Sequence, residues 1–96
     1  MNTDTKTKLQ ARIRRVAGQV GGIQRMLEED RYCVDILNQI SAVRSALDAL
    51  GVELLTSHVE CCVVGHGNAY AHDEANRLSP EHLMEELRTA LSRFLK

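Results

Sequence analysis

Ten consecutive residues, SHVECCVVGH from 57 to 66, hold two adjacent cysteines and two histidines, and the chain has only one other cysteine, Cys33. Thiolates and imidazoles bind metals, carry redox chemistry or simply pack, and their placement decides which. On a helix turning about 100° per residue, Cys33, His58 and Cys62 share nearly one azimuth, because His58 and Cys62 follow Cys33 by 25 and 29 residues. His58 and Cys62 stand at i and i+4, which makes them neighbours on that face. Cys61 lies about 80° away at the same helical pitch, along an aliphatic line, and reads as a core thiol behaving as a small hydrophobe. His66 and His72 fall in a glycine-rich polar stretch and read as solvated loop residues. The plain alternative for the trio is that His58 is a half-exposed helix histidine and Cys33 and Cys62 are packing thiols.

The elements that would position these groups are helices. Leu9, Ile13, Val16, Val20, Ile23 and Leu27 recur in steps of four and three, predicting a helix from about residue 5 to 29. Ile36, Ile40, Val43, Leu47, Leu50 and Leu54, then Cys61, continue the pattern on a second, long helix over about 32–63, with Gly51 in its interior. GHGNAYAHDEANRL has no sustained period and reads as a loop. Ser79 before Pro80 is an N-cap followed by proline at the first helical position, with Glu81 at the positive end of the dipole. Leu83, Leu87, Ala90, Leu91 and Phe94 then form the seam of a third helix over about 80–95. The fold class is all-α, an antiparallel helical bundle, with residues 1–96 as one domain.

A continuous helix rising about 1.5 Å per residue sets Cys33 on the order of 37 Å from His58. One chain therefore cannot bring them to one metal. Two chains can, if their long helices run antiparallel, and two-fold symmetry then makes the contact twice. Two thiolates and one imidazole form a soft three-coordinate set that favours Cu(I). Zinc would require a water or a fourth ligand, for which Met1 and a loop histidine are available.

Charge is segregated although the chain is nearly neutral at −1. Residues 1–25 carry Lys6, Lys8, Arg12, Arg14, Arg15 and Arg25 against Asp4, a net +5, and residues 26–62 carry a net −5. Lys8, Arg12 and Arg15 align at i, i+4 and i+7, a row able to neutralise phosphates, although neither a helix-turn-helix nor a zinc-finger signature accompanies it. A merely solvated face is the other reading. Aromatic residues are 3% of the chain, so the core is aliphatic, and a 96-residue monomer leaves apolar surface for a partner to cover. An odd cysteine count and a polar N-terminus, MNTDTKTK, point to a reduced, cytoplasmic protein, and no apolar run is long enough to span a bilayer. No nucleophile stands near a recognisable base and no phosphate-cradling glycine loop exists, so an enzyme is not expected.

The stretches RVAGQVGGIQRMLEEDRYCVDILNQISAVRSAL and LLTSHVECC resemble the copper-sensitive operon repressor family of small helical bacterial regulators, over nearly the whole chain from Lys8 onward. The resemblance implies a homodimer of antiparallel hairpins, usually assembled as a homotetramer, that binds operator DNA and releases it on Cu(I) binding, derepressing copper-resistance genes. It implies Cys33, His58 and Cys62 as the ligands, matching the Cys-His-Cys set of the Cu(I) sensors. Nickel and cobalt sensors place His at the Cys62 position and add a ligand near the N-terminus, where this chain offers neither His nor Cys. Formaldehyde sensors are not expected to have the second thiol, and persulfide sensors lack the histidine. Tyr32 and Glu86 fall where, in copper sensors, a hydrogen bond from the far imidazole nitrogen connects metal occupancy to helix three. Lys8, Arg12, Arg14 and Arg15, with Arg44 a weaker contact, are the expected phosphate contacts. The rival readings are a thiol-based or other-metal repressor of the same family, and a copper-buffering protein that never touches DNA. The loop from Gly65 to Leu78 is longer than in some relatives, and Cys61 is an additional thiol.

Overall fold

The computed structural model describes residues 3–65 and 71–95. Every regular element among them is helical: α1 (Thr3–Glu28), α2 (Cys33–His58), a π-helical segment (Val59–Val64), α3 (Asp73–Arg77) and α4 (Pro80–Phe94). Two compact units are present, Thr3–Leu54 and the residues from Leu55 onward. No described helix is long and apolar enough to cross a membrane.

In the first unit α1 ends in a paired-carbonyl cap. Arg31 N donates to the Met26 carbonyl at 2.9 Å and Asp30 N to the Leu27 carbonyl at 3.2 Å, with Asp30 at φ 54°. This is the Schellman arrangement, which requires a left-handed residue at that point and more often uses glycine. Aspartate tolerates it better than most side chains. The Tyr32 carbonyl then accepts from Asp35 N and Ile36 N, starting α2. Reversal at this turn makes α1 and α2 antiparallel: Glu53, near the end of α2, reaches Lys8 and Arg12, near the start of α1. Leu9, Val16 and Val43 are buried, but Ile13, Val20 and Leu27 of α1 and Ile40, Leu47 and Leu54 of α2 remain exposed. The aliphatic seam is thus half covered, leaving apolar area whose removal from water would release about 25 cal/mol per Å².

In the second unit the chain leaves α2 without a break, His58 keeping helical angles (φ −61°, ψ −46°), but the hydrogen bonds widen. Gly65 N donates to the Glu60 carbonyl, an i→i−5 bond of 3.2 Å. The expected α-helix to residue 63 therefore stops at His58 and gives way to a π turn, a form that inserts roughly one extra residue per turn. The stretch read as a loop holds a second correction. His72 accepts a hydrogen bond at Nδ1 from Glu74 N at 3.1 Å and caps the five-residue α3. Ser79 caps α4 as its sequence predicts, accepting from His82 N at 3.3 Å ahead of Pro80. Cys62, Ala71, Ala75 and Leu83 form the core of this unit, with Cys61 and Leu78 packed against it.

Candidate metal centre

The proposed donors occupy three different environments. Cys33 is the first residue of α2 and is exposed; His58 is the last residue of the same helix and is half-buried. Cys62, in the π turn, is 4% exposed. Cys33 and His58 are thus the two terminal residues of one 26-residue helix. No group of three His, Cys, Asp or Glu side chains able to hold a metal occurs among the described residues. All three thiols are free.

The π turn changes how the two adjacent cysteines divide their work. Cys61 was expected to be the core thiol and Cys62 a ligand; Cys62 is the more deeply buried member, and Cys61 is half-buried, packed against the same cluster. Widening of the helix changes the direction in which each residue points, and Cys62 clusters with Ala75 and Leu83. Its sulfur also accepts a hydrogen bond from His72 N at 3.4 Å. That bond ties Cys62 to the cap of α3 and holds the sulfur in place. Nothing in a 3.6-residue pattern signals this; the only trace in the sequence is the cluster of β-branched Val59, Val63 and Val64 around the cysteine pair, followed by Gly65.

Other expected residues are placed as follows. Tyr32 precedes α2 and is 68% exposed. Glu86 is exposed on α4, beside an open groove shared with His82, Glu85 and Arg93. His72 is exposed, as expected of a solvated loop residue, and in addition caps α3. His66 and Met1 lie outside the described residues. Of the basic residues, Arg14, Arg15 and Arg44 are exposed and make no ion pair among the described residues. Lys8 and Arg12 do not stand free beside them, since both turn to Glu53, at 3.5 and 3.1 Å.

The expected donor set, two sulfurs and one imidazole with an enclosed apolar flank at Cys62, would suit a soft monovalent metal. It falls one ligand short of a closed structural zinc site.

The family model for metal-sensitive transcriptional repressors matches residues 5–93. The copper-sensing transcriptional repressor RicR of Mycobacterium tuberculosis is 54% identical over 61 residues, and that alignment spans 64% of each chain. The chain thus aligns with just under two thirds of that relative's length. Among solved structures, the copper-sensing repressor CsoR with Cu(I) from Geobacillus thermodenitrificans is 34% identical, covering 100% of this chain and 92% of that one at a TM-score of 0.82. A variant of the formaldehyde-responsive regulator FrmR from Salmonella enterica serovar Typhimurium is 28% identical with a TM-score of 0.80, covering 97% of both chains. One backbone therefore serves different inducers, and the ligand residues must carry the distinction.

Proposed function

Because this chain belongs to the family of metal-sensitive transcriptional repressors, we propose that it is a Cu(I)-responsive repressor, binding operator DNA when metal-free and leaving it when Cu(I) is bound. Residues 1–96 work in this reading as one sensing and DNA-binding domain in the cytoplasm, and the task is binding rather than catalysis. The observation that carries it is the Cys-His-Cys set divided between the two ends of α2, Cys33 at the start and His58 with Cys62 at and just beyond the finish.

Cys33 of one protomer and the partner's His58 and Cys62 would hold the metal, twice in a two-fold dimer. The half-covered seam of α1 and α2 supplies the apolar surface for that dimer, and a tetramer follows by pairing dimers. Bound there, Cu(I) supplies a cross-link between two chains. The protein's own residues do the rest. Arg14, Arg15 and Arg44 present free cations to phosphates, with Lys8 and Arg12 available beside them. Tyr32, next to Cys33, and Glu86 are the residues that would orient the imidazole of the partner's His58 in such a dimer. Metal binding shifts the equilibrium only by its differential affinity for the two conformations, so by reciprocity DNA must weaken metal binding by the same factor.

The test is anaerobic Cu(I) titration of the wild type, Cys33→Ala and His58→Ala, with DNA release read in the same samples on a duplex from upstream of the protein's own gene. One Cu(I) per chain with coincident release of DNA is expected for the wild type, and loss of both in each variant. Release by persulfide that survives His58→Ala would instead identify a thiol-based sensor. A metal-binding chain that never retards the duplex would be a copper buffer.

A further inference from the structure

Lys8 and Arg12 differ from the other cations of the basic face in having a carboxylate between them. Glu53 Oε1 lies 3.5 Å from Lys8 Nζ and Oε2 lies 3.1 Å from Arg12 Nε. Oε2 is shut off from solvent and receives no directed hydrogen bond among the described residues, so the neighbouring guanidinium charge is what compensates it. The cations are more open than the acid: the Lys8 and Arg12 side chains are 67% and 41% exposed, against 31% for Glu53. A phosphate can therefore approach either cation from the solvent side, while Glu53 is fixed behind them. Phosphate and carboxylate compete for the same guanidinium fork and the same ammonium. When phosphates win, Glu53 must take up a solution cation, which offsets part of the counterion release that drives binding.

We propose that Glu53 is an internal competitor for DNA phosphates, holding Lys8 and Arg12 in reserve and weakening the metal-free complex with any duplex. This rests on reading the basic face of α1 as the DNA contact. The clamp divides that face into two sets: Arg14 and Arg15, free for encounter, and Lys8 and Arg12, engaged only when phosphates displace Glu53. Glu53 is a positioning residue with a repulsive role toward the ligand, and such elements keep affinity for wrong sequences low. It also stands on the helix that ends at His58, five residues further on.

The experiment is a fluorescence-anisotropy titration of the full, metal-free chain against two duplexes of equal length, one from upstream of its own gene and one of random sequence, over a range of salt. Glu53→Gln should bind both duplexes roughly tenfold tighter at low salt, with a salt slope steeper by about one for each clamp opened. Asp48→Asn, which changes net charge equally on the same helix, should move binding far less. In a Lys8→Gln/Arg12→Gln background the gain from Glu53→Gln should vanish. Glu53→Asp, too short to reach both cations, should give part of the gain and covers the case in which Glu53→Gln fails to fold. Unchanged or weaker binding by the folded Glu53 variants overturns the proposal, as does a gain that persists without Lys8 and Arg12. If Lys8→Gln/Arg12→Gln weakens DNA binding but the Glu53 variants do not tighten it, the clamp alone is wrong. If Lys8→Gln/Arg12→Gln leaves DNA binding unchanged, those two cations are not DNA contacts and the clamp falls with that assignment.

Discussion

Three cysteines in one reduced chain differ in what surrounds their sulfur, and that difference has a chemical consequence. Cys33 opens a helix at the surface, Cys61 is half-buried, and Cys62 is enclosed by Ala75 and Leu83 with His72 N donating to it. Alkylation of the metal-free protein should therefore label Cys33 first, Cys61 more slowly and Cys62 last, as read by mass spectrometry of the peptides over time. Labelling of Cys62 at the rate of Cys33 would contradict the enclosed geometry. The side chain that closes the cluster is Leu83, 1% exposed. Leu83→Ala removes its buried methyl groups and leaves a cavity, so a loss of about 2–5 kcal/mol is expected in denaturant unfolding. The same variant should abolish the protection of Cys62 from alkylation while leaving Cys33 unchanged. The identities and spacing of Cys33, His58 and Cys62 were legible in the sequence because a helical period converts numbers into directions. Which of Cys61 and Cys62 is buried was not, because the π turn resets those directions at the cysteine pair itself.

At the scale of elements, the legible features are those written with a local chemical cause. The steps of three and four gave α1, α2 and α4 to within two residues at their starts and at the ends of α1 and α4, and Ser79 with Pro80 placed the first turn of α4. Two features escaped. α3 is five residues long and held by its own ends, with His72 as cap and an Arg77–Glu74 pair at 2.8 Å, so no apolar period announces it. The π turn depends on how the chain meets α3 and α4, which is tertiary information. Caps can be tested directly. Ser79→Ala removes the acceptor for His82 N and should destabilise the protein by about 1 kcal/mol, visible as a lower Tm. Asp30 offers the opposite sign. It holds φ 54° in the α1 cap, a conformation that costs an L-residue roughly 1–2 kcal/mol. Asp30→Gly should raise stability by about 0.5–1 kcal/mol, less than the relieved strain because glycine also gains freedom in the unfolded chain. A fall in Tm for Asp30→Gly would mean that the aspartate side chain contributes more than its backbone conformation costs.

For the whole molecule the deciding fact is that one chain leaves its work unfinished. Its seam residues Ile13, Val20, Ile40 and Leu47 stay exposed, and its candidate ligands sit at opposite ends of α2. Both deficits would be met by a second copy lying antiparallel, the arrangement proposed above, which would complete the ligand set in trans. Mixing two defective chains separates this arrangement from a site within one chain. Cys33→Ala and His58→Ala variants, each unable to bind Cu(I) tightly, are combined, exchanged through mild denaturant and titrated anaerobically. In a mixed dimer one site unites an intact Cys33 with an intact His58 and Cys62, and the other site carries both lesions. Random pairing makes half the dimers mixed, so about one quarter of the wild-type Cu(I) capacity should return on mixing. A site within one chain would return none, since neither parent ever holds a full set. Pre-crosslinking each parent before mixing should abolish the recovery, which ties the returned capacity to exchange of subunits and not to metal bound elsewhere on the surface.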